Sequence, residues 1–290
     1  MITNQQALQR LKADIQLRGL SKNTFESYLM HVKLFLDHCD RPVDDLDEMD
    51  VRGFLGKLIV EKKLAPGTVN VYSAAIRFFF AVTLNRTMNY LQIPRVKRPK
   101  TLPEIISRDE VHELISTCSN IKHKALMLTA YGSGLRVSEL VNLKVTDIDS
   151  ESMRILVRGG KGKKDRYTIL SQNSLLALRD YWSKYRPKSP EGYIFPGTKN
   201  IGHTTSAAFE NAIQAALPKT SISKKVTPHT FRHLFATHML EDGLSLLQVK
   251  ELLGHSSISS TTIYLHLANI TIGMTSPADN LPAVFEDYPI

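Results

Sequence analysis

Residues 93–103 read IPRVKRPKTLP, and this stretch limits how everything around it can fold. Pro94, Pro99 and Pro103 fall within eleven residues. Each lacks an amide donor and has its φ fixed, so no regular helix or central strand runs through them. Arg95, Lys97, Arg98 and Lys100 add four positive charges with no acid between them. The segment reads as a basic linker, and its charge suits a strap laid across phosphates. It divides the 290-residue chain into 1–92 and 104–290, each long enough to bury a core of its own.

The front part is helical in pattern. LSKNTFESYLMHVKLFLDHC sets Phe25, Tyr28, Leu29, Val32, Phe35 and Leu36 three or four apart, with Ser21 as a cap. APGTVNVYSAAIRFFFAVTL repeats the pattern with Val69, Tyr72, Ile76, Phe79 and Phe80, opened by Pro66 and Gly67. The acidic run DDLDEMD at 44–50 reads as a solvated turn or a helix start. A small all-helical domain is expected over 1–92.

The back part is mixed. Ser107 and Glu110 form a capping box that opens a helix to about Thr117, and HKALMLTAY continues as a second helix. MRILV (153–157) and RYTIL (166–170) are β-type runs on either side of GGKGKKD, which predicts a β-hairpin with a glycine- and lysine-rich tip. From about residue 174 the pattern is helical again, broken by the loop RPKSPEGYIFPGTKN. The expected fold class is mainly α, with a small antiparallel β-sheet in the second domain.

A net charge of +9 points to a polyanionic partner, either nucleic acid or an anionic membrane surface. No run of about 18 apolar residues predicts a bilayer span, and MITNQQALQRL has no apolar signal core. Cys39 and Cys118 belong to no C-x-x-C and read as buried free thiols of a reducing cytosol.

Four short stretches carry chemistry. In TPHTFRHLFATHML (227–240), Thr227 caps a helix and Pro228 suits its first position. His229 and Arg232 then lie over one face beside free backbone N–H groups, which makes an anion site. His229 and His233 are four apart, but a zinc H-E-x-x-H needs a glutamate where Thr230 stands. In YGSGLRVSEL (131–140), Arg136 leaves a Gly-Ser-Gly turn with Glu139 three residues on as a partner. The hairpin tip holds Lys161, Lys163 and Lys164, outside the strand-to-helix setting of a nucleotide-binding loop. In LLGHSSISSTTIYLHL (252–267), Gly254 ends a helix opened by Ser245 and Gln248, and throws His255 off that end. SSTTIY is then expected to start another helix and bring Tyr264 back over the same region.

Each stretch alone fits a structural role. In this order, G-L-R-x-S-E-L, G-K-G-x-K-x-R, H-x-x-R-H-x-x-A-T, L-G-H and a tyrosine nine residues after His255 resemble the tyrosine recombinase (phage integrase) family. The resemblance covers about 104–267. The front part, from LSKNTFESY, resembles that family's helical core-binding domain, and the layout is that of short Xer-like recombinases of bacteria and mobile elements. It implies domains at 1–92 and 104–290 joined by the linker 93–103. The implied activity is cleavage and rejoining of DNA through a 3′-phosphotyrosyl bond, without metal, ATP or other cofactor.

In that scheme Tyr264 is the nucleophile, Arg136 and Arg232 bracket the phosphate, and Lys161 protonates the leaving 5′-oxygen. His229 shuttles the tyrosine proton, His255 hydrogen-bonds the phosphate, and Glu139 orients a neighbouring basic group. Arg95, Lys97, Arg98, Lys100, Lys163 and Lys164 are expected to hold DNA. The partner is double-stranded DNA bearing a recombination site, met as a tetramer on paired sites and as a monomer or dimer when free. The location implied is the cytoplasm, at the nucleoid. One departure from the family is the proline-containing tail ANITIGMTSPADNLPAVFEDYPI, which shows little helical periodicity for docking on a neighbour. A type IB topoisomerase, a catalytically silent DNA-binding protein and a metal hydrolase are the competing classes; the last would need carboxylates near the histidines.

Overall fold

The computed structural model describes residues 2–89, 93, 95–97, 103–159 and 165–268. The chain divides into two compact units, Met1–Lys100 and Thr101–Ile290.

The first unit is built from α1 (Asn4–Leu17), α2 (Lys22–Cys39), α3 (Glu48–Val60) and α4 (Pro66–Phe78). Ser21 caps α2 as its sequence suggests, and Pro66 occupies the first turn of α4. The acidic run supplies a cap: the Asp47 side chain accepts from the backbone of Met49 and Asp50 at the start of α3. Leu11, Ile15, Val32, Phe35, Phe54, Ile76, Phe79 and Phe80 meet in one core. Beyond α4 the chain widens into a π-helical turn, Phe79–Thr83, in which both Phe79 and Phe80 are buried.

Part of the basic linker is fastened to this unit. The Asn70 side chain makes two hydrogen bonds to the backbone of Val96, one donated and one accepted, each 2.9 Å. Arg77 donates to the carbonyl of Ile93. Ile93 is buried and Val96 half-buried, which leaves Arg95 and Lys97 exposed on the other side. Arg98 and Lys100 lie outside the described residues.

The second unit begins with α5 (Arg108–Thr117) and α6 (Ile121–Ser133), followed by the short α7 (Val137–Val141). Next come β1 (Ile148–Asp149), β2 (Arg154–Val157) and β3 (Arg166–Ile169), then α8 (Gln172–Tyr185), α9 (Ser206–Ala216), α10 (Pro228–Glu241) and α11 (Leu246–Leu253). The sheet is antiparallel in order β1-β2-β3, with Val157 opposite Arg166 at the loop end of the hairpin. The strand β1 adds to the expected hairpin; two residues are too few to leave a periodic signal. Helices α6 and α8 pack together, with α10 against α6 and α11 against β3, around Leu126, Ala130, Leu140, Phe209, Phe231 and Leu234.

Two expectations are corrected. Residues 258–266 form two 3₁₀ turns, Ile258–Ser260 and Thr262–His266, in place of a further α-helix. Hydroxyls there bond locally, Ser257 accepting from the backbone of Ser259 and Thr262 donating to the Ser259 carbonyl, and so compete with an α-helical ladder. Of the two thiols only Cys118 is buried; Cys39 is half-buried at the end of α2, and its pKa is pushed up to about 11 by desolvation and by Asp50.

Candidate active site

Two helix ends and one strand converge on a single glutamate. Helix α6 stops at Gly134, which takes a φ of +61°; a Cβ there would come within 2.3 Å of the Phe235 ring. This glycine lets the chain turn tightly beneath α10 and start α7 at Arg136. Glu139, one turn into α7, receives the Arg136 guanidinium at 2.7 Å and the Arg136 backbone N–H at 2.8 Å. From β3, Arg166 donates to both Glu139 oxygens at 2.9 and 2.7 Å. Burial raises the Glu139 pKa, but these bonds from Arg166 and Arg136 outweigh it and hold the group at about 2.

Arg232 comes from α10 and is 1% exposed. Its Nη1 donates to the Gly134 carbonyl at 2.7 Å and its Nη2 to the Leu253 carbonyl at 2.6 Å. Both acceptors stand at helix C-termini, the negative ends of α6 and α11. The distance from its Nη1 to Glu139 is 3.9 Å, outside hydrogen-bonding reach. Burial, with the like charge of Arg136, lowers the Arg232 pKa to about 10, which leaves it cationic at neutral pH.

Tyr264 is 3% exposed and packs with Phe235, Leu240, Val249 and Leu253. Its hydroxyl lies 3.0 Å from Nδ1 of His233. Burial raises its pKa, against the pull of Arg232 and Arg136. Burial, His229 and Arg232 together depress the His233 pKa to about 4, so the ring is neutral, and in the tautomer protonated at Nε2 its Nδ1 is the acceptor for the phenol. The ring of His229, in the first turn of α10, meets that of His233 edge-on with centroids 4.6 Å apart. Desolvation of the His229 ring and the charges of Arg232 and Arg136 lower its pKa. His255 follows the α11 cap Gly254, stacks beside Tyr264 at 6.4 Å between centroids, and shares a 2.9 Å hydrogen bond with the Thr261 hydroxyl.

Arg136, Glu139, His229, Arg232, His255 and Tyr264, picked from sequence, are therefore linked by short contacts across one region. Lys161, Lys163 and Lys164 lie outside the described residues, as does the tail from 269. Two members were given no role from sequence. His233 drew notice as a possible zinc ligand and as a letter of H-x-x-R-H-x-x-A-T, and Arg166 as the last letter of the hairpin motif. The Tyr264 hydroxyl is in hydrogen-bonding contact with His233, and His229, the expected proton shuttle, lies against the His233 ring. Among the described residues no group of three or more His, Cys, Asp or Glu is placed to hold a metal. No described helix is long and apolar enough to cross a membrane.

Two arginines, a phenol and imidazoles are thus gathered in one region, and comparison with known proteins names the class of the chain. The pattern of the phage integrase family matches residues 104–270, and that of the phage integrase N-terminal SAM-like domain matches residues 7–90. The chain belongs to the phage integrase family. It is a tyrosine recombinase, an enzyme of site-specific DNA recombination. The chain is 43% identical over 276 residues to the putative integrase/recombinase y4qK of Sinorhizobium fredii, covering 94% of this chain and 89% of that protein. It is 33% identical over 274 residues to the tyrosine recombinase XerA of Pyrococcus horikoshii, covering 91% and 90%. Among solved structures, a XerA recombinase crystal structure aligns with a TM-score of 0.55 at 29% identity, over 92% of this chain and 95% of that one. XerH bound to its difH substrate shares the fold, with a TM-score of 0.70 at 19% identity over 89% and 81%.

Proposed function

We propose that this chain binds double-stranded DNA at a specific site and exchanges strands through a covalent bond between Tyr264 and a 3′-phosphate. The observation that carries this is the Tyr264 hydroxyl, bonded to a neutral imidazole and lying in the positive field of Arg232 and Arg136. The Tyr264 oxygen attacks phosphorus and the bond to the 5′-oxygen breaks. The phenol proton passes to His233, beside which His229 completes a two-ring relay. Burial is the main cause of the lowered pKa of both histidines and the nearby positive charge adds to it; a bound phosphate offsets that charge and so favours the protonated ring. Arg136 and Arg232 stabilise the charge that builds on the non-bridging oxygens, where a guanidinium fork matches two oxygens and stays charged. Lys161 protonates the departing 5′-oxygen, and His255 hydrogen-bonds the phosphate. One phosphodiester is exchanged for another of similar energy, so a 5′-hydroxyl from a second strand reverses the attack and no ATP is consumed.

With Tyr264 and Arg232 almost fully covered in the free protein, their contact with DNA requires the segment carrying Tyr264 to shift. The first unit takes the part of a core-binding domain, and Arg95 and Lys97 on the fastened strand, with Arg98, Lys100, Lys163 and Lys164, hold the backbone. Assembly is as a tetramer on paired sites, and the enzyme works in the cytoplasm at the nucleoid. The test is covalent trapping on nicked duplexes drawn from the DNA flanking its own gene. A denaturation-resistant adduct, with its peptide mapped to Tyr264, supports the assignment; an adduct on another residue, or none with any duplex, removes it.

A further inference from the structure

Arg166 has a place in this site that its position on a hairpin strand does not explain. Its side chain is 11% exposed. It spends its fork on both oxygens of Glu139 and its Nε on the carbonyl of Leu252, at 3.0 Å. With Arg136 added, each oxygen of Glu139 receives two donors: Oε1 from the guanidinium groups of Arg136 and Arg166, Oε2 from the Arg136 backbone and Arg166. A carboxylate offers about four acceptor positions, so Glu139 is full. That saturation accounts for Arg232 standing 3.9 Å away and turning to backbone carbonyls instead.

The same arginine also meets the end of α11. The carbonyls of Leu252, Leu253 and Gly254 face Arg166, Arg232 and Arg136 in turn, at 3.0, 2.6 and 3.5 Å. Gly254 has a φ of +64°, and a Cβ there would sit 2.7 Å from Cδ of Arg166. The turn that delivers His255 is thus folded directly over the Arg166 side chain. Removing Arg166 would leave two empty acceptor positions on a glutamate whose side chain is 9% exposed. Arg136 and Arg232 are the cations near enough to fill them, and either would leave its present hydrogen-bonded pose to do so.

We infer that Arg166 is a positioning residue for strand cleavage, acting through Glu139 and the α11 terminus to hold Arg136, Arg232 and the His255 turn in place without touching DNA. This rests on the recombinase reading above. A misplacement of about 1 Å in such groups costs on the order of 10²-fold in rate.

The experiment uses the full chain and a nicked duplex carrying the site found by trapping. Single-turnover adduct formation and affinity across a salt series are measured for wild type, Arg166→Met, Arg166→Lys and Glu139→Gln, and for Arg166→Met combined with Glu139→Gln. Arg166→Met should slow cleavage about 100-fold with affinity and salt slope unchanged, and Arg166→Lys should recover part of the loss. In the Glu139→Gln background the Arg166→Met change should add little, since both then act on one link. On a methylphosphonate substrate, which lacks the non-bridging charge, the Arg166→Met defect should shrink. A salt slope lowered by about 0.9 would make Arg166 a phosphate contact and overturn the inference. Full additivity with Glu139→Gln, or wild-type cleavage by Arg166→Met, would overturn it too. Thermal melts of Arg166→Lys separate misfolding from misplacement: a folded Lys variant with no defect on either substrate also refutes the inference. A wild-type chain that forms no adduct removes the recombinase reading itself, a result separate from all of these.

Discussion

Nδ1 of His233 and the hydroxyl of Tyr264 lie 3.0 Å apart, and the tyrosine that carries the bond is 3% exposed. In the mechanism proposed above, this contact pairs the nucleophile with its proton acceptor before any DNA arrives. Since the phenol pKa is raised by burial and the imidazole pKa lowered, the proton stays on the phenol in the free protein. In the proposed mechanism attack waits for the phosphate, whose charge favours a protonated ring.

Tyr264→Phe removes one oxygen atom and leaves the arginines in place. The variant should bind its site with wild-type affinity in a gel-shift titration and form no covalent adduct. An adduct in this variant would move the nucleophile elsewhere, for example to Tyr131, whose hydroxyl lies 2.8 Å from Nδ1 of His238.

Cleavage should proceed in excess EDTA. Arg136, Arg232 and Lys161 are assigned the charge-neutralising work that a divalent ion performs in metal-dependent phosphoryl transfer. Complete loss of adduct formation, restored by added Mg²⁺ or Zn²⁺, would refute the mechanism.

Lys161→Ala should slow cleavage of ordinary DNA by about 10²–10⁴-fold, the usual worth of a general acid. Replacing the scissile 5′-oxygen by sulfur gives a leaving group that needs little protonation, and the variant should then regain most of its rate. Arg136→Ala should not recover on that substrate, because its defect lies at the non-bridging oxygens. Rescue of Lys163→Ala or Lys164→Ala in place of Lys161→Ala would reassign the acid.

Acid should destabilise the second unit before its carboxylates titrate. The His233 pKa in the folded chain is about 4, below the ordinary histidine value, so the unfolded chain binds the proton first. The stability this neutral ring contributes is complete above about pH 6.5 and falls as pH drops toward 4, by roughly 3 kcal/mol in all. Burial depresses the pKa of His238 on the same helix, which acts in the same direction. Urea melts at pH 7.5, 6 and 5 check this: the midpoint should fall with pH, and His233→Gln should flatten the trend. An equally steep trend in that variant would place the acid sensitivity elsewhere.

Periodicity and caps made the helices readable. Ser21, Ser107, Thr227 and Ser245 each cap the helix their sequence announces, and the hairpin strands fall within the two β-type runs that flank the glycine- and lysine-rich segment. The positions that escaped are those governed by tertiary contact. Arg166 lies 27 residues from Glu139, and His233 lies 31 from Tyr264, so no local pattern ties either pair. Residues 258–266 have spacing that an α-helix tolerates, and their hydroxyl hydrogen bonds settle the tighter turn. Arg136 with Glu139 was visible as an i,i+3 pair, yet its burial beneath α11 was not.

The cradle around Arg232 is made of main-chain oxygens, those of Gly134 and Leu253. Such acceptors survive every side-chain truncation, so alanine scanning would find the arginine and pass over what holds it. They also have no proton to gain across the working pH range, and their grip is the same in acid and in base. Only a change in the course of the backbone exposes them. Gly134 and Gly254, with their positive φ angles, are the positions where a single methyl group would do so.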